Sequence, residues 1–135
     1  MKNFLLTLLL LSFSIYGLAK NPQKHITVSD TTVYTVVDKM PEFPGGKEAM
    51  MLFIKNNIRY PDVYQESNIQ GRVLISCIVE KKGILSNIQI ARGIDGPLDM
   101  EAVRVISIMP KWSPGILRGK KVRVRITIPV NFKLE

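Results

Sequence analysis

From Val122 to Leu134 every even position is apolar: Val122, Val124, Ile126, Ile128, Val130, Phe132 and Leu134. Lys121, Arg123, Arg125, Thr127, Pro129, Asn131 and Lys133 occupy the odd positions. A strand sends successive side chains to opposite faces, so a period of two specifies one dry face and one wet face. No helical spacing fits this ribbon. Burying such side chains stabilises a fold by ~1.5–3 kcal/mol each, so the dry face demands a hydrophobic lid. Pro129 has no N–H to give a neighbouring strand, which argues for a sheet edge. Outward Lys and Arg suit an edge too, because they discourage unwanted pairing. A long cationic edge serves either as a rail for another chain or as a protected margin that binds nothing. The alternation alone leaves both readings open.

The rest of the chain supplies the lid. Met40-Pro41-Glu42-Phe43-Pro44-Gly45-Gly46 reads as a turn leading into a helix from about Lys47 to Asn57, with Ala49, Met50, Phe53 and Ile54 on one face. Tyr60-Pro61 opens a short turn or helix through Asn68. A strand follows from Gly71 to Lys81, and its two-sided apolarity marks it as central. Lys81-Lys82-Gly83 turns the chain into a return strand from Ile84 to Arg92. Leu98, Ala102, Val105, Ile106 and Met109 form a second helical stripe, introduced by Pro97 and ended by Pro110. Residues 111 to 119 read as a connecting loop. The β-branched stretch from Thr31 to Asp38 is a candidate short strand. Two helices with one apolar stripe each pack most simply on one face of a small antiparallel sheet, an α+β two-layer sandwich. Arg72, Ser76, Glu80, Arg123 and Arg125 then stay on the wet face.

The beginning of the chain reads differently. Lys2 precedes an apolar run from Phe4 to Leu11 that continues through Phe13 and Ile15, and Gly17-Leu18-Ala19 follows. This is the pattern of a secretory signal peptide cleaved after Ala19. An uncleaved inner-membrane anchor is the alternative, although the run is short for a span. The domain layout is therefore 1–19 signal peptide, 20–39 flexible tail with a possible short strand, and 40–135 folded domain. Cleavage leaves 18 basic against 11 acidic residues, a net charge of +7. That balance favours an anionic partner or surface, and export argues against nucleic acid.

Nothing points to catalysis. The chain has no phosphate loop, no paired metal-ligand spacing and no Cys–His or Ser–His constellation. Its one histidine, His25, falls in the tail. No enzyme activity, cofactor or metal is expected. Cys77 lies on an apolar strand face and reads as a small buried hydrophobe. Trp112 reads as a plug holding its loop against a helix. Asp95, Asp99 and Glu101 read as helix-start chemistry.

Taken in order, several segments resemble the C-terminal domain of the TonB energy-transducer family. They are Phe43-Pro44-Gly45-Gly46, Tyr60-Pro61, Ile69-Gln70-Gly71-Arg72-Val73, Lys82-Gly83, Leu98-Asp99 with Glu101-Ala102, Met109-Pro110-Lys111-Trp112-Ser113-Pro114-Gly115, and Ile128-Pro129-Val130 with Phe132. The resemblance implies a periplasmic domain that couples inner-membrane energy to outer-membrane receptors. It further implies that an extended receptor segment pairs with the final strand. Tyr60, Pro61, Arg123, Arg125, Thr127, Pro129 and Asn131 become the candidate partner-binding residues. Two departures stand out. About twenty residues separate the apolar run from Met40, a reach of ~70 Å at ~3.3 Å per extended residue, where full transducers carry a long proline-rich spacer. Family members also often place a basic residue two positions after the Tyr-Pro proline, and here that residue is Val63.

Two functions follow from different classes. One is a transducer domain that supports TonB-dependent transmembrane transport by binding outer-membrane receptor peptides, or another envelope protein, through strand addition. The other is a non-transducing module that forms a homodimer through the same edge, or binds the cell wall or an anionic envelope surface.

Overall fold

The computed structural model describes residues 31–134. The expected signal peptide, its cleavage after Ala19, the tail from Lys20 to Asp30 and His25 lie outside the described residues. Eight elements follow in chain order: β1 (Val33–Tyr34), α1 (Gly46–Asn57), α2 (Asp62–Glu66), β2 (Gly71–Val79), β3 (Leu85–Arg92), α3 (Gly96–Ser107), β4 (Gly115–Leu117) and β5 (Lys120–Phe132). The class is α+β, as the patterning predicts.

β5 and β2 are the backbone of the sheet. They run antiparallel in one unbroken register, from Gly71 opposite Phe132 to Val79 opposite Val124. β3 lies antiparallel on the far side of β2, giving the order β1-β5-β2-β3. The sheet is mixed, because β1 joins β5 in parallel with Val33 opposite Arg123 and Tyr34 opposite Val124. β4 pairs antiparallel with the start of β5, Gly115 opposite Val122.

The period-two reading of the final ribbon holds. Val122, Val124, Ile128, Val130 and Phe132 are buried and Ile126 is half-buried, while the intervening residues keep contact with solvent. The lid comes from Met50 and Ile54 of α1 and from Leu98, Ala102, Val105 and Ile106 of α3. These residues pack with Val73, Ile75, Cys77 and Val79 of β2 into one core. Each large apolar side chain buried there contributes ~1.5–3 kcal/mol.

The edge expectation needs correction at one end. Arg123 and Val124 pair with β1, on the side of β5 away from β2, so the strand is not an edge there. Residues distant in sequence supply that cover, and the strand's own alternation carries no trace of it. From Arg125 to Phe132, no strand among the described residues pairs with β5 on the side away from β2. Pro129 lies in this open half, opposite Leu74 of β2.

Two turns fix the frame. Gly83 takes φ +85°, and a Cβ there would stand 2.0 Å from the Trp112 carbonyl oxygen. The Trp112 N–H donates to the Gly83 carbonyl at 2.9 Å, which fastens the β2–β3 turn to the tryptophan loop. Between β4 and β5 the chain turns on Arg118 and Gly119, both at positive φ (50° and 76°). Positive φ at both central residues suits the right-handed twist of a two-residue hairpin. β4 departs from the loop reading of residues 111 to 119, since three residues leave too short a pattern to separate from a loop.

Candidate functional site

The open half of β5 is the candidate site. Two hollows flank it, and no residue of β2 lines either of them. The larger, of about 1020 Å³, lies between α1 and the end of β5, where Pro129, Asn131 and Phe132 meet Met51, Leu52 and Lys55. The smaller, of about 410 Å³, lies between the segment around Phe43 and residues Arg125 to Ile128. Lys47 lines both. The strand margin is thus flanked by α1 and by the turn that leads into it.

Local sequence explains the wall. Gly45 and Gly46 both take positive φ, which lets the chain swing from the Phe43 turn into α1. Met50 and Ile54 face the core. Met51 and Leu52, one or two positions further round the helix, therefore face the larger hollow and remain exposed. Phe43 seals the inner end of the turn, its ring tilted against Phe53 at 5.6 Å and at right angles to Trp112 at 5.8 Å. Trp112 is buried as the plug the sequence suggested, and its Nε1–H has no acceptor among the described residues.

The structure separates the seven candidate residues by what they already touch. Arg123 is committed within the fold: Nε donates to Glu80 Oε2 at 2.7 Å, Nη2 to Glu80 Oε1 at 2.9 Å and Nη1 to the Thr31 carbonyl at 2.9 Å. Arg125 donates from Nη1 to Ser76 Oγ at 3.0 Å and also lines the smaller hollow. Thr127 is exposed on the open margin. Pro129 and Asn131 line the larger hollow, and Asn131 Oδ1 accepts from Arg72 Nε at 2.9 Å. Tyr60 stands at the end of this hollow with its ring edge-on to Phe132 at 5.4 Å, and its hydroxyl donates to the Ile69 carbonyl. Pro61 is exposed and precedes α2. Arg125, Thr127, Pro129 and Asn131 therefore share one margin, Tyr60 closes its end, and Arg123 and Pro61 stand apart.

Electrostatics follow the same division. The hydrogen bond from Arg123 holds the Glu80 carboxyl below its usual range against the opposing cost of burial, with Ser86 and the nearby Lys81 charge assisting. On the helix side, Glu101 is lowered chiefly by its hydrogen bonds from Arg104, with the Arg59 N–H adding to it. Asp99 accepts from the Ile94 N–H at 2.8 Å and Asp95 from the Tyr64 hydroxyl at 3.2 Å, so the acidic residues before and within α3 serve local structure. Burial pushes the Cys77 thiol up to about 11. Among the described residues no cluster of His, Cys, Asp and Glu is arranged to hold a metal ion, and no helix is long and apolar enough to cross a membrane.

Sequence reasoning missed the α1 wall. Lys47, Met51, Leu52 and Lys55 read as the outer face of an amphipathic helix, and only the fold brings that face alongside β5.

Comparison with known proteins bears on this geometry. The family described as Gram-negative bacterial TonB protein C-terminal matches residues 56–134. The NMR solution structure of the Helicobacter pylori TonB C-terminal domain superposes with a TM-score of 0.51 at 22% identity, covering 64% of this chain and 90% of that one. A longer piece of the same Helicobacter pylori domain gives a TM-score of 0.48 at 23% identity, covering 68% and 87%. A comparison with curated proteins returned no match.

Proposed function

This chain belongs to the family of TonB C-terminal domains, and from that premise we propose that it is a periplasmic transducer domain that captures an extended segment of an outer-membrane receptor as an added strand on β5. Membership supports a part in TonB-like energy transduction in general. The observation that carries the finer reading is the margin from Arg125 to Phe132, which no strand among the described residues pairs although the same stretch is fully paired on its other side. Main-chain hydrogen bonds to such a margin supply affinity, and hollows beside it receive alternate side chains.

The proline sets the phase of that pairing. A proline stands in a ladder where its missing N–H faces away from the partner strand. Pro129 pairs with β2 without a break in register, so its nitrogen belongs on the open side. Alternate residues share that orientation. The N–H groups of Arg125, Thr127 and Asn131 are then the donors offered to an incoming strand. Arg125 adds positive potential that steers acidic segments. Arg123 contributes structure instead, because Glu80 already occupies its guanidinium.

Titration of isotope-labelled protein with peptides from receptor amino-terminal segments tests this. Amide shifts should concentrate between Arg125 and Phe132. Shifts centred on the margin of β3, or a stable dimer that no peptide dissociates, would replace strand capture with the non-transducing reading.

A further inference from the structure

Resting on the strand-addition reading above, we propose that α1 and the end of β5 together select the partner, by accepting an extended segment whose large apolar side chain stands next to a carboxylate. A strand added at β5 sends alternate side chains to the helix side of the sheet. Near the end of β5 those side chains enter the hollow of about 1020 Å³.

The wall they meet is apolar. Leu52 is 57% exposed and Met51 38% exposed, although the same helix has a separate buried stripe of Met50 and Ile54. A single exposed leucine carries no information. Two adjacent apolar side chains lining the hollow, beside a strand margin that no described strand pairs, form a seat to which Phe132 and Ile58 add apolar surface. Each apolar side chain that fills it leaves water together with the wall.

The rim is cationic. Among the described residues, Lys47 and Lys133 line the same hollow with one acid, Glu48. Lys133 is exposed directly after β5 ends. A carboxylate neighbouring the apolar anchor meets complementary potential there, while a basic neighbour is repelled. The hollow is also bounded in length: β1 already holds the margin opposite Arg123 and Val124, so an added strand runs only between Arg125 and the end of β5.

The test uses two extended peptides of equal length, one carrying Leu-Asp and the other Ser-Asn at the same two positions, titrated into isotope-labelled protein. The Leu-Asp peptide should bind about tenfold more tightly, with β5 amides shifting for both. The double variant Met51→Ser with Leu52→Ser should abolish most of that preference, and Lys133→Glu should reduce the part due to the aspartate. These side chains are exposed, so all variants should fold as the parent does, which an unchanged denaturation midpoint would verify. If β5 amides shift and the preference survives both sets of substitutions, the α1 seat is wrong while strand addition stands. If neither peptide moves the β5 amides, strand addition fails and the selectivity proposal fails with it.

Discussion

Arg123 holds Glu80 with two nitrogens, Nε to Oε2 at 2.7 Å and Nη2 to Oε1 at 2.9 Å, across the wet face of the sheet. The two side chains are only 24% and 28% exposed, so solvent screens the pair incompletely. Because its carboxyl is depressed in the folded chain, Glu80 contributes stability that is fully present above the ordinary glutamate range and is lost as pH falls through its lowered value. Chemical denaturation followed between neutral and acid pH should show the midpoint falling on acidification. Glu80→Gln should flatten that slope. Arg123→Ala should cost about 0.5–1 kcal/mol at neutral pH. An unchanged pH profile in Glu80→Gln would mean the pair does not govern acid stability.

Gly83→Ala should be among the most damaging single changes in the β2–β3 turn. The added Cβ meets the Trp112 carbonyl oxygen at 2.0 Å, and the backbone sits at φ +85°. Neither backbone segment yields easily, because the Trp112 N–H is bonded back to the Gly83 carbonyl. A loss of about 2–4 kcal/mol is expected, read as a lowered denaturation midpoint. Gly119→Ala makes a useful contrast, since its φ of +76° is similarly strained while its Cβ meets nothing within 4 Å. It should cost distinctly less.

Cys77 should be inert in the native protein. It is buried, and its thiol is raised to about 11, so little thiolate exists near neutral pH. Alkylation monitored by mass spectrometry should be negligible in buffer and complete after unfolding in denaturant. Rapid labelling of the folded chain would contradict the burial.

Tyr60 should matter first for stability. Tyr60→Phe removes the hydrogen bond to the Ile69 carbonyl and should cost about 1 kcal/mol. Tyr60→Ala also strips the ring from Phe132 and should cost more, roughly 3–5 kcal/mol at the upper end for a ring packed on the core. The Phe variant keeps the side of the hollow intact, so its peptide affinity should stay near that of the parent protein.

Much of the fold is written in local patterns. The alternation from Val122 to Phe132, the Gly83 turn and the Leu98–Ile106 stripe are each decided by residues within a few positions of one another, and the structure keeps all three. The errors are non-local. That Val33 and Tyr34 cover Arg123 and Val124 depends on a contact across ninety positions, and nothing in the β5 pattern encodes it. β4 hid in a stretch of three residues, although Arg118-Gly119 between apolar residues and a strand was a usable turn signal. The candidate site divided along the same line. Arg125, Thr127, Pro129 and Asn131 can be grouped from the sequence because they share a strand. Arg123 looked free because Glu80, forty-three positions away, is invisible from its own neighbourhood. Met51 and Leu52 went unnoticed because a helix face reveals its neighbour only when the helix is docked.

Amide hydrogen exchange at Arg125, Thr127 and Asn131, with and without a receptor-derived extended peptide, tests the central claim most directly. Strand capture on the open half of β5 predicts that these three amides become protected on peptide binding by about tenfold or more, while amides at the outer margin of β3 stay unchanged. Unaltered exchange at all three, at a peptide concentration that saturates binding, would contradict it.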